Sequence, residues 1–195
     1  VFNYEVELVN PQFTLTSDTL RYNTATKVAN IVGPSDIDSD ENHIYSELGY
    51  YYTQQGQAEL LNRSILTNEG KQLTGDSLFY DRNKGVGEAF FNVEFVDTIS
   101  KNMLTGNYCY YNQLTSYAFA TDKAMAVDFS QGDSLFIHAD TLQMYTFNFN
   151  TDSVFREARA YHKVRFYRTD VQGVCDSLVF SSKDSCLTMY RDPIL

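Results

Sequence analysis

Six polar side chains recur down this chain at positions from which they could form a ladder: Asp18, Glu47, Asp76, Asn107, Asp140 and Asp176. A column of carboxylates could hold calcium through oxygen ligands, or supply paired acids and bases. Asn107 stands in the same column, so no catalysis that needs a charge at every rung can rest on it. The favoured reading is that these side chains bond backbone amides at a bend, with a calcium ladder as the alternative. The histidines are His43, His138 and His162, with no pair at a metal-ligand spacing. His138-Ala-Asp140 would put two polar groups on one strand face, but Asp140 is already accounted for as a member of the column. A Gly-rich phosphate loop, a nucleophile elbow and a zinc signature are all missing from the sequence. The sequence therefore predicts no catalytic residue, no metal, no cofactor and no enzyme.

The three cysteines are Cys109, Cys175 and Cys186, and an odd count leaves at least one unpaired. Cys175 and Cys186 fall on the two arms of the last predicted hairpin. If Phe180 pairs with Ser185, the two are offset by about four residues, or roughly 13 Å at ~3.3 Å per residue. A disulfide needs Cα atoms within about 7 Å, so three free thiols are expected.

The elements that must position the ladder follow from its surroundings. Each anchor sits in one pattern: an apolar residue three before it, a small residue one before, Leu or smaller two after, and a large side chain four after. The copies run Leu15…Tyr22, Ile44…Tyr51, Leu73…Tyr80, Leu104…Tyr111, Ile137…Met144 and a degenerate Gly173…Phe180. Anchor spacings are 29, 29, 31, 33 and 36 residues. A second signature begins 11 residues after the anchor in five copies, at Ala29, Ala58, Gly87, Ala118 and Leu187, and 18 after in the fifth, at Ala158. The fifth copy thus carries a seven-residue insertion near Asn148 to Ser153. Two signatures at one offset define a repeat.

Each unit is two runs of alternating apolar residues joined by a turn-rich segment such as Asn23–Thr26, Gln54–Gln57, Asp81–Gly85 or Ser181–Asp184. That pattern predicts a β-hairpin. The stretches Asp122–Phe129 and Ser153–Ala160 have helix-forming composition but fall in strand columns, and are predicted as strands. The whole reads as an all-β solenoid of about six and a half ~30-residue hairpin repeats, with about 13 antiparallel strands. It is expected to form one domain over residues 1–195. Val6 and Leu8 fit the return-strand columns of Val93 and Phe95, so the chain opens within a half-unit. It reads as a piece of a longer protein, with any targeting segment removed.

The chain has 195 residues, 43% of them hydrophobic, enough for a core built mainly between neighbouring repeats. With a net charge of −10 it repels nucleic acid and anionic membranes rather than collecting them. It has 15 Tyr and 14 Phe but no Trp, which gives no sign of a Trp-based sugar platform. The repeated apolar face is what remains for function. Leu15, Leu20, Tyr22, Leu73, Leu78, Tyr80, Phe95, Ile137, Leu142 and Phe166 are predicted to line one interior. Either it is a closed core, or it is a space that holds acyl chains.

The segment Leu73-Thr-Gly-Asp76-Ser-Leu-Phe-Tyr-Asp81, with Gly87-Glu-Ala-Phe-Phe-Asn92-Val93 downstream, resembles the repeat of OstA-like (organic-solvent-tolerance) proteins. The closing Met189-Tyr-Arg-Asp192-Pro193-Ile194-Leu195 is similar to the return strand of that family. The resemblance is specific in the third and sixth units and weaker in the second and fourth, where Gly49 and Cys109 replace Leu. It implies an open, twisted β-jellyroll in the periplasm, a lipid-binding bridge in lipopolysaccharide transport to the outer membrane. The implied partners are lipopolysaccharide or a related lipid, and other transport components or further copies joined through edge strands. The Ala-rich return strand of the fourth unit (Ala118, Ala120, Ala124, Ala126) departs from the family pattern. Either it widens the interior there or another element packs on it. A structural envelope scaffold with a closed core is the alternative function. A parallel β-helix acting on polysaccharide fits less well, because hairpin turns lie inside each unit.

Overall fold

The structure is a computed structural model. It describes residues 2–11, 13–39, 42–68, 70–99, 101–130, 132–148 and 151–195. Val1 and residues 149 and 150 of the predicted insertion lie outside the described residues.

Thirteen strands follow one another: β1 (Phe2–Asn10), β2 (Phe13–Asn23), β3 (Val28–Asp38), β4 (His43–Tyr52), β5 (Gln57–Asn68), β6 (Lys71–Asp81), β7 (Val86–Asp97), β8 (Asn102–Asn112), β9 (Tyr117–Asp128), β10 (Leu135–Phe147), β11 (Phe155–Arg168), β12 (Val171–Ser181) and β13 (Cys186–Tyr190). Sheet order is chain order, and the described pairings are antiparallel. The all-β expectation holds. Asp122–Phe129 is strand through Asp128, and Ser153–Ala160 is strand from Phe155 onward, so the repeat register overrides helical propensity. The half-unit at the start also pairs as expected, Val6 with Ser17 and Leu8 with Leu15. Among the described residues no helix is long and apolar enough to cross a membrane.

The chain divides into two compact units, residues 1–95 and 96–195. In both, the anchor marks a break in the ladder. In unit 1 the pairing steps from Ser17↔Ser35 to Thr19↔Val32, so Asp18 alone faces Gly33 and Pro34. In unit 2 it steps from Val164↔Cys175 to Tyr161↔Ser177, so Asp176 alone faces His162 and Lys163. Side chains alternate between faces along a strand, and a bulge changes which parity faces inward. That is why the inward positions fall at −3 and −1 before the anchor but at +2 and +4 after it.

On the return strand the break is a pair of left-handed residues. They are Asn62 and Arg63, Phe91 and Asn92, Asp122 and Lys123, His162 and Lys163, and Arg191 and Asp192, with φ from 49° to 68°. Gly33 (φ 94°) holds the first place of the earliest pair. Left-handed backbone costs a non-glycine residue roughly 1–2 kcal/mol, so a pair at five of the six returns, with Gly33 before Pro34 at the other, is a built corner and not a local accident.

Short polar side chains close the turns. The Asn23 Oδ1 accepts from the Ala25 and Thr26 amides at 2.9 and 3.0 Å, and Asn112 Oδ1 does the same for Leu114 and Thr115 at 3.0 and 3.2 Å. The Asp81 Oδ1 accepts from the Lys84 amide at 3.0 Å. In the last hairpin the observed pairs are Phe180↔Leu187 and Ser181↔Cys186, not Phe180 with Ser185. A four-residue turn shifts the register by two residues from that pairing. Cys175 therefore lies six residues along β12 from the partner of Cys186, roughly 20 Å away. All three cysteines are free thiols. The fifth hairpin absorbs its insertion at the tip, with extra pairs Thr146↔Arg156 and Phe147↔Phe155 beyond Tyr145↔Glu157.

Candidate functional site

The predicted interior residues do face the core, but to different depths. Leu15, Leu20 and Leu78 in unit 1, and Leu142 and Phe166 in unit 2, are buried. Tyr22, Leu73, Tyr80 and Phe95 in unit 1, and Ile137 in unit 2, are half-buried. Cross-strand pairing brings them together with residues not predicted to line the interior: Leu20 with Ile31, Leu78 with Leu60, Leu73 with Leu66, Tyr80 with Ala58. In unit 2, Ile137 pairs with Phe166 and Leu142 with Ala160.

Depth follows position in the pattern. Of the rows at −3, +2 and +4, that at +2 is the most consistently buried, from Leu20 and Leu178 at 1% exposed to Leu142 at 8%. The row at +4 lies nearer the turns and opens outward, most of all in unit 2. There Tyr111, Met144 and Phe180 are 46%, 39% and 37% exposed, and Leu187 is 44% exposed. Pairs Tyr111↔Ala118, Met144↔Ala118, Met144↔Ala158 and Phe180↔Leu187 join these into one apolar row across neighbouring strands.

Two irregular copies of the pattern have a packing cause. Gly49 takes the place of Leu in the second copy. A Cβ there would lie 2.7 Å from the Glu59 carbonyl and 3.1 Å from Leu60 Cδ2, so the Leu60 side chain fills the space. Gly173 opens the degenerate sixth copy, and a Cβ there would lie 2.4 Å from Phe166 Cζ. Phe166, its pairing partner on β11, supplies the missing bulk. The Ala-rich β9 does not face open space at its centre, because Ala120 and Ala124 are fully covered.

A buried polar ladder runs beside the apolar rows in unit 1, and sequence reasoning missed it. Ser35 Oγ donates to Ser17 Oγ at 2.7 Å, and Ser46 and Ser64 bond at 2.9 Å. Ser17 and Ser46 also donate to the carbonyls of Thr19 and Leu48, both at 3.0 Å, and the Gly33 carbonyl, 2.9 Å from Ser35 Oγ, is the alternative acceptor for that hydroxyl. These serines take up carbonyls left free where the ladder breaks. The signal was present as a small residue at −1 and at +17, but small residues there are also explained by close packing. Burial pushes the Cys109 thiol up to about 12 and raises that of Cys175, which keeps both protonated.

The anchor column behaves differently from its expectation. The bend is present, but among the described residues Glu47, Asp76, Asn107, Asp140 and Asp176 bond side chains of the left-handed corner and not backbone amides. Asn62 donates to Glu47 at 3.2 Å, and Asn92 donates to Asp76 at 2.7 Å with Arg63 3.6 Å away. In unit 2, Asn107 donates to Asp122 at 2.9 Å, Lys163 donates to Asp140 at 3.1 Å, and Asp176 meets His162 at 3.3 Å and Arg191 at 3.7 Å. Hydrogen bonds from Ser177 and then His162 hold Asp176 below the usual carboxylate range. The physical reason is that a left-handed pair turns polar side chains toward the anchors on either side: Asn62 meets Glu47 and Arg63 meets Asp76, while Lys163 meets Asp140 and His162 meets Asp176. Among the described residues no group of three His, Cys, Asp or Glu could hold a metal.

A stack of antiparallel hairpins, broken at a polar corner and apolar within, is the open β-jellyroll of OstA-like and LptA-like proteins. Residues 1–63 match the family model described as OstA-like protein. That match takes in the segment holding Gly49. Among solved structures it is similar to LptH from Pseudomonas aeruginosa, described as the LptA-homologous periplasmic component of the conserved lipopolysaccharide transport device. Identity is 14%, the match covers 64% of this chain and 94% of that one, and the TM-score is 0.51. That likeness shows the fold. No curated protein matches the chain.

Proposed function

We propose that this chain is a non-enzymatic, lipid-carrying bridge module of the periplasm, serving lipopolysaccharide transport to the outer membrane. The observation that carries the reading is the graded interior on an LptA-like fold: apolar rows run across the hairpins of each unit from a buried floor at +2 to a half-exposed row at +4. Acyl chains would lie against Leu15, Leu20, Tyr22, Leu73, Leu78, Tyr80 and Phe95 in unit 1, and Ile137, Leu142 and Phe166 in unit 2. Neighbouring transport components, or further copies, would join through β1 and the largely exposed β13, since unpaired strand edges recruit strands. With a net charge of −10, nucleic acid is not a partner. A second reading, a closed-core scaffold of the envelope, draws support from the complete burial of Leu15, Ile31 and Leu60.

Mass spectrometry of lipid co-purifying from an envelope extract separates the two, using the wild type, Leu78→Arg and Met144→Arg. An uncompensated charge at buried Leu78 costs several kcal/mol, on the order of 3–5. Met144 is exposed enough for a guanidinium to reach water, so that variant folds. A folded Met144→Arg that has lost the lipid found on the wild type supports the carrier. Lipid-free wild type supports the scaffold.

A further inference from the structure

The outer face of unit 2 carries a cluster that the interior reading does not use. Tyr110 on β8, Tyr117 on β9, Tyr145 on β10 and Tyr161 on β11 alternate with the inward Cys109, Ala118, Met144 and Ala160, so they point away from the core. All four are half-buried. Ring centroids lie 6.2 Å apart for Tyr110–Tyr117 and 4.8 Å apart for Tyr117–Tyr145. The Arg159 guanidinium sits 4.5 Å over the Tyr145 ring, and its Nε donates to Glu157 at 2.5 Å. The Tyr145 hydroxyl donates to Gln143 Oε1 at 3.0 Å. Burial, and then the neighbouring Tyr145, Tyr110 and Tyr161, push Tyr117 up to about 12, so its hydroxyl is a donor at physiological pH.

Hydroxyls, a guanidinium and a carboxylate here converge between ring faces. An apolar plug from a partner protein would strip water from these polar tips and offer nothing to the donor and acceptor sites that their neighbours leave open, at about 1–3 kcal/mol each. A pyranose offers the complementary chemistry: C–H faces for the electron-rich rings, and hydroxyl edges that both donate and accept. Arg159 and Glu157 neutralise each other, so the matching ligand is uncharged. We infer that the outer face of unit 2 binds a neutral saccharide chain through Tyr110, Tyr117, Tyr145, Tyr161, Arg159 and Glu157. The absence of Trp does not preclude the platform, because Tyr supplies both the ring and the hydroxyl. The site goes beyond the carrier reading, since it lies on the opposite side of the strands from the interior rows.

The test is affinity electrophoresis of the full chain through gels containing dextran, xylan or polygalacturonate, with co-purifying lipid measured on the same variants. The wild type is expected to be retarded by a neutral polysaccharide. Tyr145→Ala and Arg159→Gln each weaken retention about tenfold, as loss of a charge-assisted hydrogen bond or a stacking ring implies. Arg159→Gln keeps its stem and melts as the wild type does, so lost retention is not unfolding. Lipid content is unchanged in both variants, which separates this site from the interior. Migration unaffected by both neutral gels overturns the proposal, as does retention only by polygalacturonate or retention unchanged in both variants. Capture of a proline-rich peptide at these residues, without polysaccharide retention, overturns it as well.

Discussion

Units 1 and 2 make the same backbone break with different chemistry. At the first two corners of unit 1 the small inward residues are Ser17, Ser35, Ser46 and Ser64, all buried and bonded to one another or to freed carbonyls, while the third has Gly75 and Val93. At the matching positions unit 2 has Gly106, Ala124, Ala139, Val164 and Cys175, and no inward hydroxyl. Thr121 Oγ1 instead donates to the Asp140 carbonyl at 2.9 Å. The row nearest the turns diverges the same way. Unit 1 presents Tyr22, Tyr51 and Tyr80, half-buried and tipped with hydroxyls, whereas unit 2 presents Tyr111, Met144, Phe180 and Leu187 at greater exposure. The difference teaches that the geometry is set by where the ladder breaks, while polarity along the interior is free to vary. Unit 2 is the more apolar and more open lining of the two.

The largest effect should come from depth. Leu20→Ala in unit 1 removes a buried side chain and is expected to cost about 2–5 kcal/mol, whereas Met144→Ala in unit 2, already part-exposed, should cost under ~1 kcal/mol. Urea titrations of the two variants check this, and equal costs would mean that the two rows are equally buried. Next comes the serine ladder. Ser46→Ala leaves the Ser64 hydroxyl with a poorer partner and should cost about 1–3 kcal/mol, while adding Ser64→Ala should cost little more. A double-mutant cycle with no coupling would make the ladder incidental to packing.

The smallest effect is the pH dependence of one turn, at Asp81 in unit 1. Hydrogen bonds, first from Gln57 and then from the Lys84 backbone, hold Asp81 below the usual carboxylate range. Its stabilising contribution is therefore full above the ordinary carboxylate range and is lost as pH falls through the depressed folded value. Asn112 does the same turn-closing task in unit 2 with an amide that does not titrate. Asp81→Asn should flatten the acid side of the melting curve, and Asn112→Ala should lower stability equally at all pH. Melting temperatures across the acid range distinguish the two.

The hairpins were legible because the pattern carries its own parity change. Leu15 and Leu20 cannot share a face of an unbroken strand, and the residue between the two phases is the anchor. The strand character of Ser153–Ala160 was legible because its columns held through an insertion. The left-handed pairs were not legible, since Asn62-Arg63, Phe91-Asn92 and His162-Lys163 share a conformation but no residue type. Nor was what makes up for Gly49 and Gly173, because Leu60 and Phe166 compensate from adjacent strands, and no single-strand reading shows that. The candidate interior was found by position. Its gradation in depth comes from distance to the turns, which periodicity does not report. The outer tyrosines went unnoticed because alternation marks the outward residues as solvent-facing whatever their chemistry.

The fifth hairpin has one more consequence, for how such a chain changes over generations. Its seven extra residues leave Leu142↔Ala160 and Ile137↔Phe166 paired as in the shorter hairpins. Length added at a tip is thus invisible to the interior, whereas a single residue added at a corner would invert every side chain beyond it. Tips are the places where new sequence can be grafted, tried and discarded while the lining is inherited intact.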